Sequence, residues 1–575
     1  MSNNDAQCQS QIPKSNELND EELASSSGTP NAVDADPEHI SIHLSRPISQ
    51  RASQSGSNEL DRALSYERTS QARKNVFMVF IVLTQLVQMI PFGAGINTGL
   101  SIATSLHFHD QHSTQVIPDS LKASLSADGA WIAASYPLTQ GTFVLIGGRL
   151  GAVYGHKRLL IVGCAWWVIW SLGTGFANNL VALCFMRGLT GMGGGIMVPN
   201  AVALLGINFP PGRQRNLAIG LFGAMAPVGA AGGSLIAGII VQLTQWKWLF
   251  FFLAVFGFVT YTVANLSIPN DPPPDPDGQI DWVGACLGVA GLILFNFVWN
   301  QAPTTGWDTP YIYTLLIVSI LSFIIFVLWE SRVAASPILP LTIWKAPSFG
   351  LLMVVIFIAF MSLGIFIWYQ TLIMIEIRGA SMILAGVQFL PLTILGTVAA
   401  FLAAWLVSRL PAQAIIGIGC TALLICNLLV ATTPRHQTYW AMLFPATICS
   451  AFTADLIFAA SQIIASNSVG RQYQGVAGSL VGTLLTYGLS TGLGFAGTVE
   501  VHTNSGGANA LHGYRMALWL AVGMAGGALI VAVIFIRMPK NDQDGWDRGE
   551  EIGVESDHHQ SAEKRSGEHE PSSQR

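Results

Sequence analysis

The sequence predicts an all-α membrane protein with fourteen transmembrane helices: two six-helix bundles and two helices inserted between them. Three observations predict this. Only 11% of the residues are charged and 51% are hydrophobic, against roughly 25% charged in a soluble chain. Mean hydropathy is +0.48, so the apolar surface needs lipid rather than a larger core. Apolar runs close to the roughly 20 residues that cross a bilayer recur along the chain.

The elements follow in order. Residues 1–72 are polar and lack apolar periodicity, which predicts a disordered cytosolic tail. The segment starts with a polar stretch, so the first apolar run is expected to be an uncleaved anchor. Residues 73–268 are expected to form the first bundle, with spans at 76–98, 129–150, 159–178, 181–205, 216–241 and 248–268. Residues 269–347 hold a Pro-rich linker, read as a semi-rigid spacer without chemistry, and two inserted spans at 281–300 and 311–330. Residues 348–537 are expected to form the second bundle, with spans at 348–371, 384–407, 414–432, 439–463, 475–498 and 514–537. Residues 538–575 form a second polar tail, also expected to be disordered.

Two short matches support a duplication. Gly-Arg-Gln occurs at 212 and again at 470, an offset of 258; Arg-Leu occurs at 149 and at 409, an offset of 260. Duplicated bundles of this kind place a pathway at their interface. Orientation follows from the basic residues beside the spans. A cytosolic N-terminus puts fifteen of them inside, among them Arg73, Arg149, Lys157, Arg213, Lys345 and Arg537. Five lie outside: Lys122, Lys247, Arg378, Arg435 and Arg515. Both termini are then cytosolic.

Several classes are excluded or disfavoured. The basic residues flank apolar runs, which is no nucleic-acid footprint. No Gly-Lys-Ser/Thr element exists, which excludes a pump with its own P-loop. No catalytic constellation is visible within the spans, so the chain is not expected to be an enzyme, and no cofactor or metal is called for. Six of the seven cysteines fall in apolar runs without metal or CxxC spacing and read as small core residues. His107, His109 and His112 read as a solvated outer loop rather than a metal site.

Candidate site residues come from polar or small residues at telling places. The stretch after span two, Gly148-Arg149-Leu150-Gly151-Ala152-Val153-Tyr154-Gly155-His156-Lys157-Arg158, reads as a Gly-assisted cytosolic turn. Arg187 falls inside span four, where a charge must face a partner or a wet cavity. Gly188, Gly191 and Gly195 share one face of that helix and allow a neighbouring backbone close approach. In span five, Pro227 cannot donate to the carbonyl of Gly223, so the helix can bend among small residues, Gly229 and Gly233 included. Asp455, in span twelve, is the best candidate for a proton or cation-substrate site; a fixed hydrogen bond is the alternative. Gln85 and Gln88 share a face of span one, and with Asn200 and Met225 they are the candidate substrate-path residues. Asp128, Glu330 and Glu376 lie near span ends and are expected to be solvated. Trp368 and Tyr369 are expected in an interfacial aromatic belt.

The segment Trp131–Arg158 resembles the fungal fourteen-span drug:proton antiporters of the major facilitator superfamily. Within these it is similar to the branch of aminotriazole-resistance and low-affinity ammonium transporters, over about residues 75–540. The resemblance implies a major facilitator fold. It implies a secondary transporter that exports small organic molecules (a drug, toxin or fungal secondary metabolite) by proton-coupled alternating access. A facilitator or importer of a small polar solute, such as ammonium or borate, is the alternative. It links Arg187 to proton coupling through an RxxxGxG motif, and residues 220–233 to the export motif in altered form. Ala152 stands where the family has a latch Asp, and span one lacks the family's Asp; Arg149 is then either part of a latch or a topogenic charge. The expected partners are the lipid bilayer, a small-molecule substrate and protons, with no nucleic acid. A monomer is expected, in the plasma membrane with the vacuolar membrane as the alternative.

Overall fold

The computed structural model describes residues 71–107, 119–209, 213–268, 272–346, 348–407, 409–469 and 473–536. The tails and most of the two Gly-Arg-Gln repeats lie outside the described residues, as do His109 and His112. Fourteen α-helices follow one another among the described residues. The first six are α1 (Gln71–His107), α2 (Asp119–Tyr154), α3 (His156–Thr174), α4 (Leu180–Asn208), α5 (Arg213–Leu243) and α6 (Lys247–Ser267). Then come α7 (Trp282–Thr305) and α8 (Pro310–Arg332). The last six are α9 (Phe349–Leu372), α10 (Met382–Val407), α11 (Ala412–Ala431), α12 (Leu443–Asn467), α13 (Gln474–Thr503) and α14 (Ala510–Phe535).

The helix pairings repeat with an offset of eight. In the first six helices, α1 packs on α5 and α6, α2 on α4, α3 on α4 and α6. In the last six, α9 packs on α13 and α14, α10 on α12, α11 on α12 and α14. Two broad seams join these sets, α2 against α13 and α5 against α10, and they too are equivalent under the same offset. Of the inserted pair, α7 packs on α8, on α13 and on α2.

Glycines make the close packing. A Cβ at Gly195 would lie 2.5 Å from the Gln140 carbonyl oxygen, so α4 rides directly on the backbone of α2. Cβ atoms at Gly229 and Gly233 would lie 2.7 Å from Leu86 O and from Ile90 Cα, which seats α5 on α1. These are the small-residue faces that lipid-embedded helices need, because lipid supplies no hydrophobic drive between helices. The apolar side chains that α8 presents outward, such as Ile317, Leu321, Ile324 and Leu328, are about half exposed. Such a surface belongs against lipid tails.

Twelve of the helices are long and apolar enough to cross a membrane. The other two are α2 and α3. Helix α2 carries Ser135, Thr139, Gln140 and Thr142 within its apolar stretch, and α3 opens on His156, Lys157 and Arg158.

Several sequence expectations change. At 37 and 36 residues, α1 and α2 outrun their predicted spans; at 1.5 Å per residue each is about 55 Å long, well beyond a roughly 30 Å hydrocarbon layer. The stretch read as a loop after span two is helical through Tyr154, and the turn is the single residue Gly155, at φ 99°. Only glycine adopts that backbone without strain. Gly148 is therefore a packing residue, its Cβ position 2.8 Å from Ser479 Oγ on α13. Trp368 and Tyr369 form no interfacial belt: both are buried, because α9 lies inside the second set. Asp128 and Glu330 are not solvated. Asp128 is buried and pairs with His107 at 2.7 Å, and Glu330 accepts from the backbone N–H of Ile338 and Leu339 at 3.1 and 3.3 Å.

Candidate functional site

The polar candidates of the first set gather where α1, α2 and α4 meet. Gln88 donates from Nε2 to Gln85 Oε1 at 2.7 Å, and Gln140 donates to Gln88 Oε1. Tyr136 OH donates to the Gln88 carbonyl at 2.7 Å and receives Trp167 Nε1 at 3.3 Å. The three glutamines are buried, so this amide chain is the polar interior of the first set. Gln140 and Tyr136 went unrecognised in the sequence, since their partners lie 52 and 48 residues away.

Arg187 is buried beside this network. Its Nε donates to Ile132 O at 2.9 Å and its Nη2 to Pro91 O at 3.0 Å, and its guanidinium lies 5.8 Å from the Phe250 ring centroid. No carboxylate pairs with it among the described residues. Two carbonyls and an aromatic face thus hold the charge, tying α4 to α1 and α2.

Asn200 lies elsewhere, beside the Gly155 turn. Its Nδ2 donates to Gly147 O and Ile196 O at 3.0 and 2.7 Å. That fixes the amide so that Oδ1 accepts from His156 Nδ1–H at 2.8 Å. Asn200 braces this turn and takes no part in the glutamine chain. Met225 is half-buried on α5 and packs against the main core.

The Pro-rich linker also docks here. Arg149 Nη1 pairs with Asp275 Oδ2 at 3.0 Å and Nη2 donates to Gln279 O at 3.1 Å. The Asp275 amide donates to Ala152 O at 3.0 Å, and Lys157 Nζ to Ile268 O at 2.7 Å. Arg149 thus ties the end of α2 to the linker. No local spacing in the sequence joins position 149 to 275.

The second set presents Asp455 from α12 toward the α5–α10 seam. A Cβ at Gly396 would lie 2.5 Å from Pro227 Cβ and 3.9 Å from Asp455 Oδ2. Asp455 accepts no hydrogen bond and pairs with no cation among the described residues. The structure brings Asp455 together with Pro227 but not with Arg187, which belongs to the other set.

One buried carboxylate went unrecognised in the sequence. Glu500, on α13, receives Ser126 Oγ of α2 at 3.2 Å and Tyr369 OH of α9 at 2.7 Å. The predicted span stopped at 498, whereas the helix runs on to Thr503. Apolar residues on both sides of Glu500, Val499 and Val501, were the available signal.

With this geometry in view, the comparisons decide the family. Residues 81–495 match the Major Facilitator Superfamily. The chain belongs to this superfamily. The low affinity ammonium transporter of Saccharomyces cerevisiae is 38% identical, covering 73% of this chain and 83% of that protein. The aminotriazole resistance protein of the same yeast is 35% identical, covering 74% and 80%. The efflux pump terJ of Aspergillus terreus is 35% identical, covering 71% and 80%. Among solved structures, a bacterial homologue of the human lysosomal transporter Spinster aligns with a TM-score of 0.55 at 15% identity, covering 84% of this chain and 100% of that one. At that identity the likeness shows the fold. This major facilitator protein is therefore a multi-pass membrane transporter of small molecules, not an enzyme. It is related to fungal efflux pumps and multidrug transporters.

Proposed function

We propose that this transporter exports small organic molecules by alternating access, driven by protons carried on Asp455. All fourteen helices cross the bilayer in this reading. Helices α2 and α3 are the less apolar ones because their polar residues turn inward or cap the Gly155 turn. Helices α1–α6 and α9–α14 act as the two bundles, with boundaries near 73–268 and 348–537, the linker and insert (269–347) between them. Both termini are cytosolic, on the excess of basic residues at that face.

The observation that carries the reading is the Asp455 carboxyl, which has no hydrogen bond or cation among the described residues and faces Gly396 and Pro227 where the helix sets meet. A carboxylate in such a place is expensive unless something neutralises it. A proton does so in one access state, and substrate or water can do so in the other. Arg187 is held by fixed carbonyls, so its part is to lock α1, α2 and α4 into one body rather than to carry a proton. The relatives named as efflux pumps support export. The test is retention of a toxic fluorescent compound in cells expressing the protein. Expression should lower retention, a protonophore should abolish that difference, and Asp455→Asn should behave like the protonophore. Export that persists after collapse of the proton gradient would overturn the coupling.

A second reading has its own support. The glutamine chain is an uncharged polar interior, suited to a small polar solute, and one relative is named an ammonium transporter. Uptake of labelled ammonium or borate into vesicles without a pH gradient, unaffected by Asp455→Asn, would favour it.

A further inference from the structure

Glu500 is unlike Asp455 in that it is built in. Its carboxyl is buried, 6% exposed, and each oxygen has one neutral donor, Ser126 Oγ and Tyr369 OH. Beside it lies a cavity of about 10 Å³, close to the least that admits one water molecule. The cavity is lined from four helices: Ala127 and Ala130 of α2, Asn300 and Pro303 of α7, Tyr369 of α9, and Gly497 of α13.

Among the described residues, the surroundings of the carboxyl supply no paired positive charge. The groups facing the carboxyl are Ser126 on α2, Tyr369 on α9 and Tyr514 on α14, whose ring centroid lies 5.6 Å from that of Tyr369 with the ring planes tilted by 55°. Asp128, two residues from Ser126, is already paired with His107, and Glu376 is the other acidic group near Tyr514. Among the described residues no Lys, Arg or His pairs with Glu500. Hydroxyl donors stabilise a carboxylate but do not cancel its charge, and a bare charge at such depth is costly.

We infer that Glu500, Tyr369 and Ser126 form a site for one compact positive charge, a proton or a monovalent cation no larger than a water molecule, where α2, α7, α9 and α13 meet. The site joins the two bundles through Ser126 and includes the insert through Asn300. Loading it neutralises the carboxyl that spans the α2–α13 seam. It is separate from the Asp455 site and does not depend on export or its direction.

The test is infrared difference spectroscopy of the full-length protein in lipid nanodiscs, with isotope-labelled glutamate to isolate glutamyl bands. One series varies pH; the other adds sodium or ammonium chloride at fixed pH. A proton site gives a carboxylic-acid C=O band that pH removes and the salts leave alone. A cation site gives carboxylate bands that sodium or ammonium shifts. In either case Glu500→Gln loses the response and Asp455→Asn retains it, so failure of the export reading leaves this result standing. Tyr369→Phe and Ser126→Ala keep the carboxyl but remove one donor each, and should shift the same band even if Glu500→Gln does not fold. A carboxylate band unchanged by pH and by both salts, or untouched in Tyr369→Phe and Ser126→Ala, would overturn the site.

Discussion

The two seams between the helix sets are made by equivalent helices yet are built differently. In the α2–α13 seam, Gly141 meets the backbone of Tyr487, and Ser490 Oγ lies 3.0 Å from Ala134 O. The inserted helix α7 backs this seam: Tyr487 OH donates to Leu292 O at 2.6 Å, and Asn296 Oδ1 lies 3.1 Å from Ser490 Oγ. In the α5–α10 seam, Gly386 meets Leu235 and Gly396 meets the Pro227 ring. Its cross-links among the described residues are few: the Ile383 amide donates to Gln242 Oε1 at 3.0 Å, and Asn97 Nδ2, reaching in from α1, donates to Ser234 O of α5 at 2.8 Å and to Met382 O of α10 at 3.0 Å. The α7–α8 pair does not back it, and it holds Asp455, which has no partner among the described residues. The repeated helix pairing gives two like surfaces; α7 backs one, and the other holds a proline and that carboxyl. Under the proposed alternating access, the second seam is the one expected to move.

The largest effect should come from breaking the α2–α13 seam. A Cβ at residue 141 would sit 2.6 Å from the Tyr487 amide nitrogen, where backbone must move. Gly141→Leu is expected to cost about 1–3 kcal/mol or more by overpacking, seen as lower yield and a lower unfolding midpoint by fluorescence-detected gel filtration. Gly396→Val presses on the Pro227 ring and the Asp455 carboxyl. Its unfolding midpoint should fall less than that of Gly141→Leu, while transport rate falls at least as much. Equal ratios of rate loss to stability loss at the two seams would erase the distinction drawn between them.

Smaller effects sharpen it. Ser490→Ala removes one buried seam hydrogen bond and should cost about 1 kcal/mol, read as a modest fall in the same midpoint with transport retained. Asp275→Asn breaks the Arg149 pair, whose side chains are 27% and 46% exposed. That pair is worth about 0–1 kcal/mol. The expected readout is therefore faster protease cleavage within 272–281, without a measurable change in midpoint.

Some features of the fold are legible in the sequence and others are not. The helices were legible because lipid demands long apolar runs, and even the more polar α2 was found from its apolar run at 129–150. The small-residue faces were legible because Gly188, Gly191 and Gly195 sit at helical spacing. Partners distant in sequence were not. Ser126 and Glu500 are 374 residues apart, and nothing local at either position announces the other. Trp368 and Tyr369 were misplaced for a related reason: aromatics at the end of an apolar run look alike whether the helix faces lipid or lies inside the bundle. The linker's Asp275 lay in a proline stretch with the composition of a plain spacer, and only the folded chain brings it to Arg149.

Asp455 lies at the α5–α10 seam and is the proposed proton carrier. The most direct measurement reconstitutes the protein in vesicles and follows a transported dye under an imposed pH gradient, alongside dye-for-dye exchange with no gradient. The account predicts that Asp455→Asn loses gradient-driven accumulation but keeps exchange, because the neutral amide mimics the protonated carboxyl. Accumulation in Asp455→Asn equal to that of the unmodified protein would contradict it.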